Sequence, residues 1–166
     1  MQRGERPYDF QTLWRLPASK ERCWQELLER RSWQHWWPAL SGVSIKSRPL
    51  LEGEELELKV RSPLGYQLRL QLRILRVTPQ RFLAVTATGD LEGRGEAIFQ
   101  DDPGTQDPGT PQSSTLQINW LVRTTKPWMN FFAPVLAPLY RWAHRRVLQD
   151  GERRFRNWLQ SHPEKS

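Results

Sequence analysis

Between Tyr66 and Val77 the chain alternates strictly. Leu68, Leu70, Leu72 and Ile74 fall on one side, and Gln67, Arg69, Gln71 and Arg73 on the other. Successive side chains of a β-strand point to opposite faces, so this stretch is a strand with one dry face and one wet face. Strands of that kind belong to antiparallel sheets covered on one side only. The pattern returns from Gly53 to Ser62, where Leu56, Leu58 and Val60 oppose Glu55, Glu57, Lys59 and Arg61. Pro63-Leu64-Gly65 between the two supplies turn chemistry, as does Thr78-Pro79-Gln80 after the second.

Other segments carry the same signal. Asp9 to Leu16 places Phe10, Thr12, Trp14 and Leu16 on one side. Thr115 to Thr124 does the same with Leu116, Ile118, Trp120 and Val122. Arg81 to Thr88 is rich in β-formers and groups Thr86 and Thr88 with Phe82 and Ala84. Leu91 to Gln100 puts Gly93, Gly95 and Ala97 on the face of Phe99. Small residues at alternate positions leave volume unfilled or admit a close neighbour, and a ligand or a helix could use the room. Val43 to Arg48 is a shorter, weaker strand. Asp101 to Ser114 repeats DPGT in a polar loop, as expected of a hairpin connection.

Helices stand apart from these strands. Ser19 is placed to cap a helix from Lys20 to about Arg30, with Cys23, Trp24, Leu27 and Leu28 turned inward. Ser32 would cap a second short one, Trp33 to Trp37, closed by Pro38. The longest periodic stretch runs from Thr125 to Gln160. Phe132, Leu136, Leu139, Tyr140, Ala143 and Val147 share a stripe, and Arg141, Arg145, Gln149, Glu152 and Arg156 lie opposite. Thr125 reads as its cap, with Pro127 in the first turn. Pro134 and Pro138 predict a short helical piece ending near Ala133, a kink, and a continuous helix from Pro138 to Leu159.

A chain of 166 residues predicts one domain, spanning 8–160, with flexible polar tails at 1–7 and 161–166. Strands in a run with helices segregated from them predict an α+β antiparallel architecture, its sheet curled around the last helix. The formal charge of +7 is scattered opposite apolar stripes, which reads as a solvated surface, and nucleic acid is not expected. The single cysteine, Cys23, excludes an internal disulfide and a cysteine-based metal site. No His-x-x-x-His, acidic pair at metal spacing, Gly-x-Ser-x-Gly or phosphate-cradling glycine loop occurs, so no metal or cofactor is expected and no catalytic residue is assigned. Nothing approaches the ~18 apolar residues a membrane span needs. The polar opening MQRGERPYDF lacks a secretory pattern, and a cytoplasmic location is the expectation.

At this point the chain resembles the helix-grip domains of the START/Bet v 1-like (SRPBCC) superfamily, in particular the polyketide cyclase/dehydrase-like branch. The resemblance rests on LPASKERCWQELLE followed by WQHWWPAL, on GDLEGRGEAIF, and on TTKPWMNFFAPVLAPLYRWAH. It covers about Phe10 to Leu159. Where many members of that branch read Asn-His-Asp, this chain reads Ala143-His144-Arg145. The resemblance implies a curved seven-stranded antiparallel sheet gripping the C-terminal helix, two short helices after the first strand, and an apolar cavity between sheet and helix. It implies a lipid, polyketide, isoprenoid or quinone-like ligand there.

On this arrangement the expected cavity residues are Tyr66, Leu68, Leu70, Leu72, Thr86, Thr88, Gly95, Trp120, Leu136 and Tyr140. Few polar groups reach the space, as is usual in ligand pockets. Three functions stay open. The first is a binding or transport domain for a small hydrophobic ligand. The second is a polyketide cyclase/dehydrase-type enzyme, which needs acid and base groups facing the cavity. The third is a membrane-associated lipid or quinone carrier, with peripheral contact through Trp33–Trp37 and WMNFFAPVLAPLY. Exposure of those tryptophans would favour the third.

Overall fold

The computed structural model describes residues 7–28, 33–41, 50–105 and 108–163. Strand β1 (Tyr8–Leu16) is followed by helices α1 (Lys20–Leu28) and α2 (Trp33–Trp36). Strands β2 (Leu40–Ser41), β3 (Glu55–Arg61), β4 (Gln67–Thr78), β5 (Phe82–Gly89), β6 (Leu91–Asp101) and β7 (Ser114–Thr124) come next, and helix α3 (Pro127–Ser161) closes the order. The expected strand at Val43–Arg48, the Ser32 cap and most of the two tails lie outside the described residues. A short strand does stand nearby, at Leu40–Ser41, paired with Val60 and Lys59.

The strands form one antiparallel sheet in the order β1-β7-β6-β5-β4-β3-β2. Bringing β1 against β7 places the two ends of the chain order side by side, with Phe10 opposite Trp120 and Trp14 opposite Leu116. The sheet curls into a half-barrel whose concave face holds the alternating apolar residues. Leu70, Leu72 and Ile74 are buried while Arg69, Gln71 and Arg73 are exposed, as the alternation of β4 requires. A bulge between Ile74 and Arg76 inserts one extra residue. It leaves Leu75 exposed and returns Val77 to the inner side.

Two apolar clusters line the concave face. One is built on Trp14, Leu16, Cys23, Trp36, Leu116, Phe155 and Leu159, where α1, α2 and the end of α3 meet β1 and β7. The other is built on Leu56, Leu58, Leu70, Leu72, Ile74, Val85 and Ala87 of β3, β4 and β5.

The C-terminal half of α3 is pinned from several directions. The Arg15 amide donates to Glu152 Oε1 at 2.9 Å, and the Arg156 guanidinium donates to the Arg15 carbonyl. Arg22 of α1 donates to the Leu159 carbonyl at 2.8 Å. Trp158 Nε1 donates to Glu26 at 2.9 Å. Glu152 and Arg156, expected on the wet side, are therefore half-buried.

The N-terminal half departs from expectation in three ways. The helix runs unbroken through Pro134 and Pro138. Both prolines are exposed, so the carbonyls one turn back lose their donors on the solvent-facing side, where the ladder tolerates it best. Thr125 is not the cap: Lys126 holds that position without a side-chain cap bond, and the Thr125 hydroxyl donates to the Gly89 carbonyl at 2.5 Å. The inward stripe is also rotated. Met129, Tyr140, Ala143, Leu148, Gly151, Phe155 and Leu159 are buried, whereas Phe132 and Leu139, expected inside, are exposed. The pins at Arg15, Arg22 and Glu26 set that rotation from outside the helix, and no periodicity within it records them.

Candidate ligand-binding site

Between the concave face and α3 lies a partly open cavity of about 300 Å³. Its walls come from β1 (Phe10, Trp14), β3 and β4 (Leu58, Leu72), β6 and β7 (Ala97, Trp120) and α3 (Met129, Tyr140). These residues converge because each is the inward member of an alternating pair or of the helix stripe. The lining is overwhelmingly apolar.

Besides Ser62, Thr124 and the exposed Glu96 at its border, the polar groups of the lining are gathered in two places. All three tyrosines of the chain, Tyr8, Tyr66 and Tyr140, border the cavity. The rings of Tyr8 and Tyr140 meet edge-on with centroids 6.3 Å apart. Burial raises the Tyr140 phenol above its ordinary pKa, and the neighbouring Tyr66 and Tyr8 add to this, so it stays an O–H donor. One helical turn on, His144 stacks on Phe10 with centroids 3.9 Å apart. Burial pushes its imidazole down to about 4, so it is neutral at pH 7. The second place is the pair Trp14 and Trp37, whose rings meet edge-on at 5.5 Å. Tyr140 Oη, Trp14 Nε1 and Trp37 Nε1 are buried without a hydrogen-bond partner among the described residues. A buried donor left unpaired costs about 1–3 kcal/mol, and such groups are rare enough in folded proteins to ask for an explanation.

Gly95 lies on the inner face of β6, opposite Trp120 of β7. A Cβ at Gly95 would stand 2.8 Å from Cε3 and Cζ3 of the Trp120 ring. The room beside Gly95 is taken up by the chain's own indole, and that at Gly93 by the backbone of β7, where a Cβ would run into the Leu121 carbonyl oxygen. Gly95 and Ala97 still border the cavity.

The start of α3 is fixed over this space by Asp90. Its carboxylate accepts the Arg69 amide of β4 at 2.7 Å and faces Lys126 Nζ at 3.4 Å, and its carbonyl accepts the Thr125 amide at 3.0 Å. The β5–β6 turn therefore ties β4 to the helix entry. Glu92 pairs with Arg123 at 3.1 Å on the outer surface. Arg94 and Glu96 are exposed.

The residues singled out from the sequence divide. Tyr66, Leu68, Leu72, Gly95, Trp120 and Tyr140 border the cavity. Leu70 is buried in the adjoining core cluster. Thr86 and Thr88 stand on the outer face of the sheet. Val85 and Ala87 point inward in their place, because β5 pairs Val85 with Ile74 and Ala87 with Leu72, and Thr88 is exposed with its hydroxyl 3.5 Å from the Gln71 carbonyl. Leu136 is half-buried and outside the wall. Sequence reasoning passed over Tyr8, Phe10, Trp14, Met129 and His144, all of which border the space. Phe10 and Trp14 were legible as the inner face of β1, and His144 as the residue four after Tyr140. Met129 gave no signal among its aromatic neighbours.

Among the described residues, no cluster of His, Cys, Asp or Glu is placed to hold a metal ion. Cys23 is buried, its Sγ 3.3 Å from Ser114 Oγ, and burial pushes its thiol up to about 11, so it is inert rather than nucleophilic.

No known family model matches the sequence, and no curated protein does. Solved structures do match the fold. A START superfamily protein from Mycobacterium smegmatis aligns over 92% of this chain and 97% of that one, with 17% identity and a TM-score of 0.65. The di-domain ARO/CYC BexL from the BE-7585A biosynthetic pathway aligns over 95% of this chain and 51% of its own, with 14% identity and a TM-score of 0.67. Ara h 8.0201 aligns over 94% and 99%, with 10% identity and a TM-score of 0.57. The antiparallel half-barrel, the long helix laid across it and these superpositions agree: the chain has the START/Bet v 1-like (SRPBCC) helix-grip fold.

Proposed function

We propose that this chain binds a small, uncharged hydrophobic ligand in the cavity between the sheet and α3. The carrying observation is the unpartnered Tyr140 hydroxyl at the wall of an otherwise apolar space. A ligand with a carbonyl, quinone or phenol oxygen would satisfy that donor while its body meets Leu58, Leu72 and Met129. Lipid, isoprenoid, polyketide and quinone-like molecules share this chemistry. A charged headgroup is disfavoured inside: no cation borders the cavity among the described residues, His144 is neutral, and an unpaired charge in apolar surroundings is strongly penalised. The likeness to a START superfamily protein and to the ARO/CYC di-domain supports a cavity-using fold and does not choose between carrying and catalysis. The cyclase/dehydrase-type alternative would use Tyr140 and the neighbouring His144 as the polar pair.

Native mass spectrometry of protein purified gently from its source is the test. A neutral bound species released on unfolding is the expected result. Ala143→Leu, which adds methylenes from the helix side, should abolish that species while circular dichroism shows an intact fold. Tyr140→Phe should weaken retention of an oxygen-bearing ligand about fivefold to tenfold, the size of one hydrogen bond. A ligand retained equally by all three proteins would place its site elsewhere. Conversion of the ligand, lost in Tyr140→Phe and in His144→Phe, would favour the enzyme.

A further inference from the structure

The first half of α3 is apolar on both of its faces. Met129 and Tyr140 close the cavity on one side. On the other, Trp128, Phe131, Phe132, Val135, Leu139 and Trp142 form a continuous exposed stripe, with Phe131 and Val135 each 78% exposed. The spacing of three, four, seven, eleven and fourteen residues from Trp128 is that of a single helix face. Trp128 and Trp142 stand at its two ends, about 21 Å apart at 1.5 Å per residue. Large contiguous apolar surface on a folded protein marks an interaction site.

We propose that this face docks on the surface of an anionic lipid bilayer, with α3 lying along the membrane. The charge around the stripe selects that occupant. From Lys126 to Gln149 the chain has no Asp or Glu, while Arg141, Arg145 and Arg146 are exposed. None of the three forms an ion pair among the described residues, whereas Lys126 is already engaged by Asp90. An apolar helix face edged by uncompensated arginines, with Trp at its ends, is the composition of an interfacial helix. Anionic headgroups would pair with the arginines as the aromatics enter the acyl boundary. A second copy of the chain fits worse, because it brings the same arginines and no carboxylate on this stretch to meet them. Among the described residues no helix is long and apolar enough to cross a membrane, so the contact is along the surface. The other candidate contact, Trp33 to Trp37, is packed into the core: Trp36 is buried and Trp33 and Trp37 are half-buried. The stripe also reaches the cavity wall, since the Trp128 ring meets that of Tyr66 at 5.6 Å. Docking there would set the ligand space directly against lipid.

Flotation of the whole chain with phosphatidylcholine vesicles, with and without phosphatidylserine, tests the proposal. Binding is expected with phosphatidylserine, weakening as salt shortens the ~8–10 Å screening length. Phe131→Ser with Val135→Ser should reduce it at least tenfold and leave the fold intact, since both side chains are already in solvent. Arg145→Glu with Arg146→Glu should reduce it by about fivefold or more per residue. Absence of binding at low salt, or equal binding by the Phe131/Val135 variant, would overturn it. So would a stable dimer in solution that the same variant dissociates, because a second copy would then own the face. Retention of the cavity ligand is measured in parallel and should be unchanged in both variants, so that loss of docking and loss of the ligand site are told apart.

Discussion

The indole of Trp37 lies where a side chain on Gly151 would begin. A Cβ built there would stand 2.6 Å from Trp37 Cε2 and 2.8 Å from Cζ2. A glycine inside a long helix is unfavourable by ~1 kcal/mol against alanine, so its place in α3 needs a reason. The reason is the segment after α2, which uses the gap to seat Trp37 against Trp14.

Gly151→Ala therefore sets two effects against each other. Helix propensity favours alanine by ~1 kcal/mol. Driving a methyl into a packed ring costs about 1–3 kcal/mol. A net loss of about 1 kcal/mol is expected in urea unfolding, with altered Trp fluorescence. A more stable variant would show that Trp37 moves aside freely.

Gly95 and Trp120 repeat this relationship at the cavity wall. Gly95→Ala should destabilise by about 1–3 kcal/mol. In a Trp120→Leu background the same change should be nearly neutral, because the ring it meets is gone. A double-mutant cycle measures the coupling. Equal losses in both backgrounds would mean the indole is not what excludes a side chain at position 95.

His144 makes stability depend on pH. Its folded pKa is about 4, against about 6.5 in an unfolded chain. The folded state favours the neutral ring, so the unfolded state takes up more protons between those values. The contribution is complete above pH 6.5 and is lost as pH falls toward and below 4, by about 3 kcal/mol. His144→Phe should flatten the stability profile in that window and leave it unchanged near pH 8. Titration of the ring protons near pH 6.5 in the folded protein would contradict the burial argument.

Asp90 is expected to hold the entry of α3. Asp90→Ala removes the acceptor of the Arg69 amide and the partner of Lys126. A loss of about 1–3 kcal/mol is expected. Amide hydrogen exchange should quicken at Arg69 and across the first turns of α3, while the pinned end around Phe155 stays protected. Unchanged exchange at Arg69 would show the contact to be idle.

Much of the molecule was written locally. The two-residue period of β4 and β7 and the 3.6-residue period of α3 follow from backbone geometry, so element type, order and most inward faces could be read directly from the chain. Pro17, Pro38, Pro63 and Pro79 marked boundaries for the same reason, whereas Pro134 and Pro138 did not. Tyr66, Leu68, Leu72, Gly95, Trp120 and Tyr140 reach the cavity because their patterns were unambiguous.

Tertiary structure decided whatever depended on a partner far along the chain. β5 carries apolar residues on both faces, Phe82 and Ala84 on one and Leu83, Val85 and Ala87 on the other, and its pairing with Ile74 and Leu72 turned Val85 and Ala87 inward and left Thr86 and Thr88 outside. The rotation of α3 was set by Arg15, Arg22 and Glu26, more than a hundred residues away. It put Phe132 and Leu139 in solvent with Phe131 and Val135, and so created the outer apolar stripe. The spaces beside Gly95 and Gly151 were claimed by Trp120 and Trp37, whose rings come from other elements. A period states which residues of one element share a face; which way that face turns, and what fills the gap before it, is fixed only when distant elements compete for the same volume.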